Sequence, residues 1–177
     1  MDLNKLPIGK NAPYEINVIV EVPMGSAPVK YELDKDSGFL FVDRFIQAAM
    51  NYPCNYGFIP HTLSEDGDPA DVLVYGDLPV VPMSVIAVRP IGVLLMEDES
   101  GKDEKILAVP TSKLTPFFDN IKTYKDLPEI VTLKISHFFE NYKKLEKNKW
   151  VKILGWESEE KAHQLINEAV ERYNSKS

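Results

Sequence analysis

Three carboxylates fall within six residues in Asp66-Gly67-Asp68-Pro69-Ala70-Asp71, a turn stiffened by glycine and proline. Two ionised carboxylates held about 6 Å apart repel by roughly 3 kcal/mol at an effective dielectric of about 20, so three together ask for a cation. The motif offers oxygen ligands only. Without a His or Cys in it, a hard divalent ion such as Mg²⁺, Mn²⁺ or Ca²⁺ is expected rather than zinc. The bland alternative is a solvated acidic turn. A second acidic pair, Asp98 and Asp103, brackets a turn between two strand-like runs, with Lys105 just beyond it. Alone it reads as a polar hairpin loop; beside the first cluster it resembles the other half of a metal site. Lys30 and Glu32, two residues apart, project from one face of a strand. Arg44, Tyr52, Tyr56, Tyr142 and Lys143 add a guanidinium fork, hydroxyls and a point charge, the groups that meet phosphate oxygens. Each of these also has an ordinary packing explanation.

The elements that must position these groups are mostly strands. Residues 15–22 alternate, with Ile16, Val18, Val20 and Val22 on one side, and strand-like runs follow at 29–33 and 39–43 after turn signals. This reads as an antiparallel meander. Further strands are expected at 71–75, 84–97 and 104–109, with a last one at 151–154. Helices come late. Residues 128–145 carry Val131, Ile135, Phe138, Phe139, Tyr142 and Leu145 at near-helical spacing, with Lys143, Lys144 and Lys147 near the end where the dipole favours cations. A second helix starts after Ser158 as N-cap and runs one apolar stripe through Ala162, Leu165, Ile166, Ala169, Val170 and Tyr173. Strands first and helices afterwards suggest a mainly β, α+β fold: a small barrel or curled sheet with helices outside it.

Composition narrows the function. At 177 residues, 44% apolar and 10% aromatic, the chain can bury the core of one domain, taken as residues 1–177. A net charge of -7 argues against a general nucleic-acid binder, which needs a basic face to displace counterions. No run reaches the length of a membrane span, and the first residues lack the pattern of a secretory leader, so a cytoplasmic location is expected. The one cysteine, Cys54, is expected to be a small buried hydrophobe.

The chain resembles the family I (soluble) inorganic pyrophosphatases of bacterial type. The resemblance rests on the acidic hexad, on the block FVDRFIQAAMNYPCNYGFIPHTLSEDGDPAD that leads into it, on EVP at 21–23 and on KYE at 30–32. It also rests on RPIGVLLMEDESGKDEK from Arg89 and HFFENYKKLEKNKWVKILGW from His137. Ala70 stands where a larger aliphatic residue is usual. The resemblance implies that Asp66, Asp71, Asp98 and Asp103 hold Mg²⁺, with Glu21 and Glu32 completing the shells and Asp68 as general base for the attacking water. Lys30, Arg44, Tyr56, Lys105, Tyr142 and Lys143 would contact the phosphoryl groups, with Tyr52 in support. It further implies a five-stranded OB-like β-barrel with flanking C-terminal helices, pyrophosphate as substrate, and a homohexamer. About three to four Mg²⁺ per site, or Mn²⁺ in their place, are expected with substrate.

The charges agree with that requirement. Glu21, Glu32, Asp66, Asp68, Asp71, Asp98 and Asp103 outnumber Lys30, Arg44, Lys105 and Lys143 by seven to four. Pyrophosphate adds about three negatives near neutral pH, so about three Mg²⁺ neutralise the whole. Two other readings compete. A non-catalytic Ca²⁺ module fails on spacing, because an EF-hand count from Asp66 puts Ala70, Asp71 and Asp77 where an oxygen ligand, a glycine and a glutamate belong. An OB-type single-strand nucleic-acid binder suits the fold and the tyrosines but not the acidity.

Overall fold

The structure is a computed structural model and describes residues 3–176. It is mainly β, with nine strands and two α-helices among the described residues. The strands are β1 (Ile16–Val22), β2 (Val29–Leu33), β3 (Leu40–Phe45), β4 (Asn55–Phe58), β5 (Asp71–Val74), β6 (Val85–Asp98), β7 (Gly101–Lys102), β8 (Lys105–Pro110) and β9 (Val151–Glu157). The helices are α1 (Glu129–Asn141) and α2 (Glu159–Lys176).

β1 pairs antiparallel with β4 and, through Ile16–Ile19, with the start of β6. β4 pairs antiparallel with β5, which runs parallel to β8. The 14-residue β6 serves four neighbours along its length: β1 at its start, β8 in its middle, and β9 and β7 at its end. A bulge at Ile91, between Pro90 and Gly92, punctuates it, and a second, at Leu154 of β9, lies opposite Leu95 and Met96. Proline cannot donate to a ladder, so its place beside a bulge is expected. β2 and β3 form a separate two-stranded sheet.

The main sheet is buried on both faces. Leu73, Leu94 and Leu107 join α1's Ile135, Phe138 and Phe139 in one cluster, while Val72, Val74, Val93, Ile106 and Ala108 join α2's Ala162, Ile166 and Ala169 in another. Alternate residues of one strand thus serve two cores. Ser158 caps α2 through its carbonyl, which accepts from Ala162 N–H at 3.1 Å.

Three expectations need correction. β4 was not expected, being four residues containing Asn and Gly. β3 begins and ends later than the apolar run suggests. α1 stops at Asn141 with Tyr142 as its C-cap, so Lys143 lies beyond the helix; both are buried, and Leu145 is exposed rather than on the apolar stripe. Cys54 is buried as expected, and burial pushes its thiol up to about 12.

Candidate active site

β4 is short, but it sets the floor of the site. Gly57 lies so close to β1 that a Cβ there would sit 1.9 Å from the Ile19 carbonyl oxygen, and this approach brings Tyr56 inward. Asn55 fixes the strand's start by accepting from Met24 N–H and Val80 N–H and donating to the Leu78 carbonyl. The acidic hexad follows, just ahead of β5. Gly67 there has φ 97°, a left-handed conformation that favours glycine, and Asp66 Oδ1 accepts from Asp68 N–H at 3.0 Å. The hexad is therefore an Asx-type turn that fixes the Asp66 carboxylate on the rim of the site, with Asp66 and Asp68 both exposed.

Sheet register does the rest. Asp71 stands opposite Lys105 in the parallel pair, and the Lys105 ammonium donates to Asp71 Oδ2 at 2.5 Å and also to Asp103. Asp98 closes β6, with Oδ1 accepting from Ser100 N–H and Oδ2 from the Lys143 ammonium at 2.6 Å. From the smaller sheet, Lys30 lies 3.8 Å from Glu32 and 3.4 Å from Asp43, and Arg44 bonds Glu146 at 3.1 Å.

All fourteen residues singled out from the sequence border one cavity of about 240 Å³: Glu21, Lys30, Glu32, Arg44, Tyr52, Tyr56, Asp66, Asp68, Asp71, Asp98, Asp103, Lys105, Tyr142 and Lys143. Sequence reasoning missed three charged members of the same wall, Lys35, Glu99 and Lys149. Lys35 reaches Asp68 at 3.6 Å, while Glu99 bonds Lys149 and stands 3.8 Å from Lys143. They lie in loops where charge normally signals solvent, and only the density of charge around Asp98 hinted at Glu99.

Burial sets the protonation of the walls. It pushes the Glu21 carboxyl up to about 8, although Leu33 N–H donates to it at 2.7 Å. It also raises Asp66 and drives the Tyr52, Tyr56 and Tyr142 phenols above their ordinary value, so these remain hydroxyl donors at neutral pH. For Lys105 burial acts in the opposite sense, yet the charges of Asp71 and Asp103 outweigh it and hold the ammonium charged. Burial opposes ionisation of Asp98 too, but Lys143 and the Ser100 N–H prevail and lower its pKa.

Residues 18–174 match the sequence model of the family described as inorganic pyrophosphatase. The chain belongs to that family. It is 58% identical to the inorganic pyrophosphatase of Bradyrhizobium diazoefficiens over 99% of both chains, and 65% identical to that of Rickettsia conorii over 90% of this chain and 92% of the other. The fold agrees as well. The crystal structure of inorganic pyrophosphatase from Thermus thermophilus superposes with a TM-score of 0.92 at 44% identity, covering 98% of this chain and 99% of that one.

The family is divalent-metal dependent, and the donor set here fits a hard ion: eight acidic groups around one polar cavity, with no His or Cys on its wall. Among the described residues no three acidic, histidine or cysteine side chains stand together as a ready cluster. Lys105 lies between Asp71 and Asp103, and Lys143 holds Asp98, which keeps the carboxylates apart. The Ca²⁺-loop alternative loses further ground because a strand, not a helix, begins at Asp71. No helix among the described residues is long and apolar enough to cross a membrane.

Proposed function

We propose that this chain hydrolyses pyrophosphate to two orthophosphates by attack of water, with Asp68 as general base. One observation carries the reading: the acidic hexad, the Asp98–Asp103 hairpin and the cations of five separate segments line a single cavity in a chain of this family. Mg²⁺, about three to four ions with substrate, would be held by Asp66, Asp71, Asp98 and Asp103 with Glu21 and Glu32 beside them, supplying neutralising charge and acidifying the attacking water.

The chain's own groups do the positioning. Asp68 is tethered by its backbone N–H to Asp66, so its carboxylate projects from a rigid turn, with Lys35 at 3.6 Å, where it can accept the water's proton. Lys30, Arg44, Lys105 and Lys143 present charge to the two phosphoryl groups, and Tyr56 and Tyr142 add hydroxyl donors. Tyr52 packs against Tyr56 and Phe138 and supports that wall. Phosphoryl transfer relies on positioning and electrostatics, and no covalent phosphoenzyme is required.

The same reading takes residues 1–177 as one pyrophosphatase domain, cytoplasmic and assembled as a homohexamer. The pairing path β1–β4–β5–β8–β6 returns to β1, which supports an OB-like five-stranded barrel at its centre. The test is phosphate release from pyrophosphate by purified protein with Mg²⁺ and with EDTA. Release that needs the metal is expected; no release with any divalent metal would overturn the reading.

A further inference from the structure

Glu146 does not border the cavity, yet it grips a group that does. Its Oε2 accepts from Arg44 Nη1 at 3.1 Å, although the two residues are 102 apart in sequence. The Glu146 side chain is only 13% exposed, and its other oxygen, Oε1, is buried with no hydrogen-bond partner among the described residues. Arg44 Nε is buried in the same state, with Asp43 an ion-pair neighbour at 3.4 Å. A buried carboxylate that uses one of its two oxygens is a costly way to gain stability alone.

Its backbone explains why it is there. Glu146 N–H donates to the Lys143 carbonyl at 2.9 Å, and Lys149 N–H donates to the Glu146 carbonyl at 3.4 Å. Glu146 is thus built into the turn that carries Lys143, and its side chain ties that turn to β3. We propose that Glu146 is a positioning residue: by holding Nη1 it immobilises the long Arg44 side chain, leaving Nη2, which makes no hydrogen bond among the described residues, to meet a phosphoryl oxygen. The inference rests on the reading of Arg44 as a phosphate ligand. An arginine fork loses much rotamer freedom on binding, and fixing it beforehand removes that cost from the substrate.

The experiment is steady-state hydrolysis by Glu146→Ala, in the native and in the Arg44→Ala background, beside calorimetric titration with inorganic phosphate and thermal melting. Glu146→Ala should raise KM about tenfold and leave kcat within about twofold, as expected when one side chain must be ordered by the substrate. In the Arg44→Ala background the same change should move KM by less than about twofold, because the two residues act as one unit. Glu146→Gln, which keeps an acceptor oxygen, should restore KM to within about threefold. An unchanged KM in Glu146→Ala, or the same rise in both backgrounds, overturns the proposal. If the alanine variant does not fold, Glu146→Asp read in the two backgrounds decides by the same criterion. The phosphate titration needs no turnover, so it still decides the role of Glu146 if the unaltered protein releases no phosphate.

Discussion

Lys143 donates to Asp98 Oδ2 at 2.6 Å across 45 residues of chain, and less than a tenth of either side chain is exposed. Such a pair adds little over an apolar pair of the same shape, but removing one partner leaves a buried charge unanswered. Lys143→Met should therefore destabilise the fold by about 3 kcal/mol, and adding Asp98→Asn should recover most of that. Urea unfolding of the single and double variants measures it. Equal stability of all three proteins would mean that water already compensates Asp98.

Asp68 stands in the opposite situation. Its side chain is 64% exposed, with Lys35 at 3.6 Å as its ion-pair partner. Asp68→Asn should leave the melting temperature within the effect of about 0.5 kcal/mol expected for an exposed position. Turnover should nevertheless fall by at least about 100-fold, the ordinary contribution of a general base. A kcat within tenfold of normal, in protein cleared of contaminating enzyme, would take the role from Asp68.

Gly57 links fold to site. Adding a methyl group there forces it against the Ile19 carbonyl, which is backbone and cannot swing away. Gly57→Ala should cost about 3 kcal/mol or more through strain between β1 and β4. It should also reduce activity in the surviving folded fraction, since Tyr56 moves with the strand. A stable, fully active alanine variant would show that the two strands can part without disturbing the cavity.

His163 on α2 predicts a pH dependence away from the chemistry. Burial holds its pKa below the ordinary value despite Glu159 and Glu160, and its Nε2 is buried with no hydrogen-bond partner among the described residues. The unfolded chain therefore binds the proton more readily than the folded one. Stability from this group is present above the unfolded pKa of about 6.5 and is lost as pH falls from there through the folded value. Melting temperatures from pH 8 to 5 should drop more steeply for the native chain than for His163→Phe, which keeps the edge contact with Tyr14. Identical slopes would place the acid sensitivity elsewhere.

The sequence carried the site further than it carried the fold. The hexad and the charged tips are defined by side-chain chemistry, which is local, and their convergence follows from a strand framework with clear apolar alternation. β4 escaped notice because Asn55 and Gly57 are poor strand formers; each is there for a tertiary reason, a polar hub and a close approach. α1 is shorter than its apolar period suggests: Tyr142 continues the period but serves as the C-cap, and Lys143 beyond it bonds Asp98. Glu146 looked like one more charge in a lysine-rich turn, since nothing nearby in sequence points to Arg44.

The register that sets Asp71 opposite Lys105 has a consequence for the order of events in folding. β5 and β8 are parallel, so pairing them requires the long crossover that carries β6. The remaining cations arrive from the 142–149 turn, later still in sequence. No contiguous half of the chain holds a complete pocket, and catalysis cannot precede the slow, long-range closures. During refolding, regained hydrolysis is accordingly a clock for the whole topology, while helical signal reports only its local beginnings.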